Sequence, residues 1–237
     1  MSDYMDMLAA YGVTEARPGG RKMTKKLLSL YPLPTNSNIL EIGCGLGDTA
    51  KLLSEVKNTN VLAMDNHSKM IKKAKERHLN INNITWKIDD VNDANIREQS
   101  FDVIVSESVL SFTDLKKSLS NIYRWLKPNG LVYLLEPVYL GGLNNKELRD
   151  YKNFYGFHSL LKEGEWIHLF QQQGFSLMDT VKDEGEIMED VEHSKHFPEL
   201  VIDQQIDEKY IKLMENHLYF TENYLAFFDY AYFVLQK

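Results

Sequence analysis

The chain holds 237 residues, of which 43% are hydrophobic and 26% charged. That is enough apolar material for one sizeable core, and it excludes a disordered tail or a small disulfide-stapled domain. Lys and Arg total 27 and Asp and Glu total 34, a formal charge of -7, which is the wrong sign for a general binder of phosphate backbones.

The single cysteine, Cys44, excludes an internal disulfide or a sulfur-rich zinc site and predicts a reducing, cytosolic setting. The first ten residues carry no basic leader and no stretch is apolar enough to span a membrane, so neither a signal peptide nor a span is expected. Strands and helices alternate from residue 37 to residue 135. Residues 39–42 read as a short apolar strand, followed by a glycine turn and by Leu52, Leu53 and Val56 at helical spacing. Residues 60–64 read as the second strand, and Met70, Ile71 and Ala74 as the buried stripe of the next helix. Residues 84–88 and 101–105 are the third and fourth strands, the fourth apolar enough to be covered on both faces. Asp114 is placed to cap a helix whose stripe is Leu115, Leu119, Ile122 and Leu126, and Pro128-Asn129-Gly130 ends it before a fifth strand over 131–135. Beyond Glu136-Pro137 the pattern is irregular, then helical around Trp166, Ile167, Leu169 and Phe170. A sixth strand is expected over 175–181 and a seventh over 230–235. Between them, residues 183–215 hold eleven Asp or Glu against three Lys, net -8, an acidic insert that reads first as a solvated helical face.

The strongest chemical signal is Leu40-Glu41-Ile42-Gly43-Cys44-Gly45-Leu46-Gly47, a strand ending in an acid and then a G-x-G-x-G turn before a helix. Glycine admits positive φ there and lets backbone approach a ligand. Asp65 closes the second strand 18 residues after Gly47, where a carboxylate accepts from ribose hydroxyls, so the two together point to an adenosine-containing cofactor. Nicotinamide or flavin dinucleotides and S-adenosylmethionine share this layout. The dinucleotide fingerprint needs a third glycine at position 48, where this chain has Asp48. That carboxylate opposes a pyrophosphate at the helix N-terminus, but it is harmless to a cofactor without phosphate and then serves as a helix cap. S-adenosylmethionine is therefore expected, with an NAD(P)-dependent oxidoreductase as the rival.

On these residues the chain resembles the class I S-adenosylmethionine-dependent methyltransferases, in particular the ubiquinone-biosynthesis-type and small-molecule group, over about residues 17–138. The resemblance implies a Rossmann-like, doubly wound α/β sheet of seven strands with the last antiparallel and a helical cap, and methyl transfer to an O, N or C atom of a small molecule. Glu41, Gly43, Gly45 and Gly47 match the family's E/D-x-G-x-G-x-G motif, which implies that Glu41 holds the cofactor's ammonium and that the turn, Cys44 included, lies against its methionine end. Asp65 matches the ribose-binding acid. The stretch from Asp65 to Met70 is similar to a D-x-S-x-x-M segment in which Asn66 lies by the ribose and Met70 against the adenine; Met70 at helical spacing with Ala74 also reads as core. Asp90-Val91 stands where the family has a D-A pair that takes the adenine amino group and a ring nitrogen, with Asp89 as the competitor one residue away. Arg124 to Gly130 is similar to an R-x-L-K-P-G-G turn, with Asn129 replacing a glycine where left-handed geometry is tolerated. Arg17-Pro18-Gly19-Gly20 with Thr24 resembles an R/H-P-G-G-x-x-x-T segment at the cofactor's amino-acid end, so that Arg17 either faces the methionine carboxylate or stands in an exposed turn.

Displacement at a sulfonium methyl needs no acid for the leaving group, and alignment alone supplies ~7 to 11 kcal/mol, so a catalytic residue need not show in the sequence. Ser106-Glu107-Ser108 follow the fourth strand at the carboxyl edge, where open sheets bind ligands. That puts Ser106 at the cofactor and makes Glu107 the candidate to orient or deprotonate an acceptor, or else only a cap of the next turn. His158, after the fifth strand, is the second candidate. The V-L-H-H-like turn of many relatives is replaced here by Val109-Leu110-Ser111-Phe112, and the N-P-P-Y-type motif of nucleic-acid amino-methyltransferases is absent. His193 and His196 are three apart without a partner cluster, so no metal is expected. Tyr210, Tyr219, Phe220, Tyr224, Phe227 and Phe228 are expected to pack on the last strand and to supply a substrate lid, with Tyr4 and Tyr11 closing from the other side. One methyltransferase domain over 1–237 is expected, divided into an N-terminal helical cap (1–36), a cofactor-binding core (37–136), a substrate-side and acidic helical region (137–227) and a final strand (228–237). The acidic insert favours a neutral or cationic small-molecule acceptor, and neither nucleic acid nor membrane is an expected partner. A non-catalytic S-adenosylmethionine-binding regulatory protein is the second rival, and the sequence fixes neither the acceptor nor the oligomeric state.

Overall fold

The computed structural model describes residues 3–14, 16–183, 202–203 and 205–237. The strands β1 (Asn38–Ile42), β2 (Asn60–Asp65), β3 (Ile84–Ile88), β4 (Phe101–Glu107), β5 (Leu126–Tyr139), β6 (Ser176–Val181) and β7 (Phe228–Gln236) form one sheet in the order β3-β2-β1-β4-β5-β7-β6. β1 to β5 run parallel, and β7 is antiparallel to both β5 and β6, as the resemblance implied. The chain steps outward from β1 through β3 and returns to β4 on the other side of β1. Connections from these two strands therefore diverge, and a crevice opens above their carboxyl ends.

Both faces of the sheet are buried because its central strands are apolar on both sides. On one face Ile39, Val103 and Tyr133 meet Met23 and Leu27 of α2 (Gly20–Leu30), Leu53 of α3 (Asp48–Ser54) and Ile71 of α4 (Ser68–Arg77). On the other, Leu40, Ile104 and Phe233 meet Ile122 and Trp125 of α5 (Leu115–Trp125) and Trp166 and Phe170 of α7 (Glu163–Gln172). A third cluster bridges the carboxyl edge, where α1 (Asp3–Tyr11), α6 (Asn145–Tyr155) and α8 (Glu208–Tyr224) meet through Tyr4, Met7, Leu8, Tyr155 and Phe220.

Asp114 caps α5 by accepting from Lys117 N–H, and Asn129 takes the left-handed φ of 61° that its turn requires. Several features depart from the sequence expectation. β5 is longer than 131–135, and past Leu135 its neighbour is β7 alone, so Pro137 stands where one side of the strand makes no ladder bonds. Within residues 1–36, α1 and the turn of Arg17, Pro18 and Gly19 reach the carboxyl edge, while the apolar side of α2 covers the sheet. Within 137–227, β6 stands where the sixth strand was expected, and α7 packs on the sheet. α6 was not foreseen, although Asn144 and Glu147 form the capping box that starts it and Gly156 (φ 83°) ends it. Of the acidic insert, residues 184–201 with His193 and His196 lie outside the described residues; α8 starts beyond them at an Asp207 cap.

Candidate active site

The glycine turn leaves β1 through Gly43 (φ 73°), Gly45 (φ 51°) and Gly47 (φ 84°), each for a different reason. A Cβ on Gly43 would lie 2.2 Å from Val109 and one on Gly47 2.4 Å from the Trp86 ring, but at Gly45 it would meet nothing within 4 Å. Gly45 faces a cavity of about 1060 Å³ above the β1–β4 crevice. Arg17, Glu41, Gly43, Cys44 and Gly45 line this cavity beside β1, with Asp65, Asn66 and Met70 along the β2–α4 connection and Asp89, Asp90 and Val91 beyond β3.

Two expected positions stand back from the cavity surface. Gly47 is not in the lining, because its backbone is tucked under the turn against Trp86 and His78. Ser106 is fully buried and also absent from the lining. Side chains alternate along β4, so Ser106 turns into the sheet in register with Ile42 and Leu134, and Glu107 after it reaches the cavity. Asp48 makes no side-chain cap; it is the first residue of α3, and its Oδ1 meets Arg77 (3.2 Å) and Arg21 (3.4 Å). The chain's own negative charge at that helix N-terminus is thus held by two guanidinium groups.

Glu41 and Glu107 point to the same side of neighbouring strands and have opposite surroundings. Glu41 is 4% exposed, and its Oε2 is buried without a hydrogen-bond partner. Burial first, and then the nearby Glu107 charge, push its carboxyl well above the usual range. Glu107 is fully engaged: Oε1 accepts from Thr24 (2.6 Å) and Tyr232, while Oε2 accepts from Thr49 (2.7 Å) and pairs with Arg17 Nε at 3.0 Å. Arg17 Nη2 also donates to Thr24 at 2.9 Å. Arg17 is therefore fixed in place and is not the exposed turn residue of the alternative reading. The Cys44 thiol is pushed up by burial and stays neutral.

Asp65 ties the crevice together, accepting from Gly45 N–H through Oδ2 (2.9 Å) and from His67 N–H through Oδ1 (2.8 Å). Burial raises its pKa, and these two donors hold it back. Asn66 donates to Asp90 at 3.1 Å, whereas Asp89 Oδ2 pairs with Lys87 at 2.8 Å. His67, buried, meets Asp6 of α1 at 3.1 Å, so α1 closes this side of the cavity.

Past β4 the chain turns through Ser108 (φ 57°), a strained conformation for a non-glycine residue, and Ser108 lines the cavity. The following turn is gathered by Glu136, fully buried at the sheet's edge. Its carboxylate accepts from the N–H groups of Val109 (3.2 Å), Leu110 (2.8 Å) and Ser111 (3.2 Å) and from Ser111 Oγ (2.7 Å). Burial pushes Glu136 up to about 7 against these donors. Sequence reasoning passed over Glu136; its only signal was an acid at the end of an apolar strand. The far wall is aromatic, with Tyr4 from α1, Tyr151 and Tyr155 from α6, Phe157, Phe220 from α8 and Phe228, and His158 lines it too. Tyr151 and Tyr155 share a face of α6 because they are four apart. His217, also missed from the sequence, lines this wall with Nδ1 at 3.0 Å from the Tyr155 hydroxyl, and burial lowers its pKa. Among the described residues no cluster of His, Cys, Asp or Glu is arranged to hold a metal.

Residues 39–130 match the model of a methyltransferase domain. The chain is 31% identical over 238 residues to the uncharacterized methyltransferase YodH of Bacillus subtilis, covering 100% of both chains. The chain belongs to the class I S-adenosylmethionine-dependent methyltransferases. It is also 25% identical over 90% of its length to phosphoethanolamine N-methyltransferase 1 of Triticum aestivum, of which it spans 38%. The solved phosphoethanolamine N-methyltransferase 2 of Haemonchus contortus, in complex with S-adenosyl-L-methionine, shares the fold with a TM-score of 0.80 at 20% identity, over 99% of this chain and 57% of that one. The methyltransferase is thus an enzyme of this cofactor class, and the oxidoreductase and regulatory-protein rivals fall away. Its site fits S-adenosylmethionine on two counts: a buried carboxylate oxygen awaiting a donor at Glu41, and an open glycine cradle at Gly45.

Proposed function

We propose that this methyltransferase methylates an O, N or C atom of a small neutral or cationic molecule held against the aromatic wall. The observation that carries the reading is the juxtaposition, in one cavity, of the unpartnered Glu41 oxygen beside the open Gly45 turn with a separate aromatic wall opposite. When bound, S-adenosylmethionine supplies a methyl carbon on a positively charged sulfur. Glu41 accepts from its ammonium, and Arg17, braced by Glu107 and Thr24, faces its carboxylate. Asp65 and Asn66 take the ribose, and Met70, Asp90 and Val91 the adenine. Asp90 is favoured over Asp89 because Lys87 already occupies the latter. Cys44 supplies backbone to the cradle.

Glu107 acts through Arg17 as a positioning residue, since its oxygens are taken by Arg17, Thr24, Thr49 and Tyr232 and have none to spare for an acceptor proton. His158 stays a candidate at the acceptor wall. The phosphate of phosphoethanolamine, the acceptor in the names of several relatives, has no match among the described lining residues. Arg17 is their only Lys or Arg, and it is paired with Glu107. No helix among the described residues is long and apolar enough to cross a membrane, and a reduced, buried Cys44 supports a cytosolic setting.

Isothermal titration with S-adenosylhomocysteine and with NAD tests the cofactor half. Binding of the first alone is expected, and tight NAD binding without it would falsify the reading. A radiolabelled-methyl assay over amines, phenols and carboxylic acids tests the acceptor half, with transfer to anionic acceptors alone as the contrary result.

A further inference from the structure

We infer that the acceptor's reacting atom is an amine nitrogen, and that the aromatic wall recognises it through its positive charge. The inference rests on the methyltransferase reading of the cavity and goes beyond it by choosing among O, N and C. Eight Phe and Tyr rings line the cavity, and six of them form the far wall from four parts of the chain: Tyr4, Tyr151, Tyr155, Phe157, Phe220 and Phe228. They brace one another, with Tyr4 edge-on to Tyr155 at 4.8 Å and Tyr151 stacked on Phe228 at 4.6 Å, so the wall is preorganised. Ring faces carry negative potential and attract alkylammonium groups. Burial raises the hydroxyl pKa of Tyr4, Tyr151 and Tyr155, so these rings stay neutral.

Charge decides between acceptor classes. Of the seven carboxylates in the described lining, Glu41, Asp65 and Asp90 belong to the cofactor side and Asp48, Asp89 and Glu107 pair with Arg77, Lys87 and Arg17, which leaves Asp229 beside Phe228, 3.9 Å from Lys182 Nζ, at the acceptor wall; the one guanidinium of the lining, Arg17, is committed to Glu107. The His217 imidazole at this wall is held toward its neutral form by burial. A phenolate, enolate or carboxylate acceptor brings a negative charge that nothing on the described wall balances. An amine does the reverse. Its lone pair becomes the new N–C bond, the electron pair of the broken C–S bond stays on sulfur, and the positive charge moves to nitrogen; an amine that arrives protonated first gives that proton to water. The ring faces, with Asp229 beside them, then stabilise charge where it develops, which is the condition for lowering the barrier and not merely for binding.

The test uses the full chain saturated with S-adenosylhomocysteine and two probes of one shape, choline and 3,3-dimethylbutan-1-ol, which differ by a quaternary nitrogen in place of carbon. Calorimetry is expected to show choline binding at least fivefold more tightly. Tyr151→Leu should weaken choline at least fivefold and leave the alcohol unchanged, while Tyr151→Phe, which keeps the ring, leaves both unchanged. Equal affinities, a preference for the alcohol, or no choline binding in the millimolar range would overturn the inference, and so would tighter binding of phosphocholine than of choline. Failure to bind S-adenosylhomocysteine in the same cell would instead overturn the cofactor reading, which keeps the two failures apart.

Discussion

Glu41, Glu107 and Glu136 are three acids at strand ends, and their neighbours give them three different jobs. Glu41 is buried without a partner for one oxygen, so its charge is useful only when a cation arrives. Glu41→Gln should therefore raise the unfolding temperature of the ligand-free protein and weaken S-adenosylhomocysteine at least tenfold, two shifts of opposite sign that calorimetry and thermal melts read separately. Glu136 is raised to about 7 by burial, whereas in an unfolded chain a glutamate titrates near ~4.3. Between those values the native state holds a proton that the unfolded state has released, so stability falls as pH rises from about 4.3 through about 7. Glu136→Gln cannot titrate, and its melting temperature should fall less than that of the parent over this interval. An equal fall in both would place the pH dependence elsewhere.

At the scale of elements, the glycine turn and the Glu107 hub are separable. Gly45→Ala meets open space but must hold φ near 51°, so it should cost roughly 1 to 2 kcal/mol of stability while losing most cofactor affinity. Gly43→Ala collides with Val109 and should be destabilised by about 3 kcal/mol or more, with its binding defect following from misfolding. The hub joins β4, α2, α3, β7 and the turn before α2 through a charge pair that is 10% and 6% exposed. Glu107→Ala strands the Arg17 charge and should cost about 3 to 5 kcal/mol in denaturant unfolding, whereas Tyr232→Phe, which removes one donor, should cost about 1 kcal/mol. Near-neutral stability of Glu107→Ala would contradict a hub role and reopen the acceptor-facing one.

For the whole molecule, ligand linkage is the most direct check of what the cavity is for. A ligand present at a hundred times its dissociation constant adds about 2.7 kcal/mol to stability, so S-adenosylhomocysteine should raise the melting temperature by several degrees while NAD leaves it unmoved. The cap elements are part of the same unit, since α1 is tied to the β2–α4 connection through Asp6 and His67 and to α8 through the aromatic cluster.

The sequence by itself determined the parallel sheet, the glycine turn, the place of Asp65 at the end of β2 and the cofactor class, because these depend on local periodicity and on residues close together in the chain. The Asp114 cap and the Asn129 turn were legible for the same reason. Only the tertiary structure decided that Ser106 turns inward while Glu107 reaches the cavity, since strand alternation does not say which face a ligand approaches. It also decided that Glu107 is already occupied, because its partners Arg17, Thr24, Thr49 and Tyr232 are scattered over more than 200 residues and no spacing rule links them. The aromatic wall is of the same kind. Tyr4, Tyr155 and Phe220 look like ordinary core in their own helices, and they become one wall of the cavity only where three helices meet over the edge of the sheet.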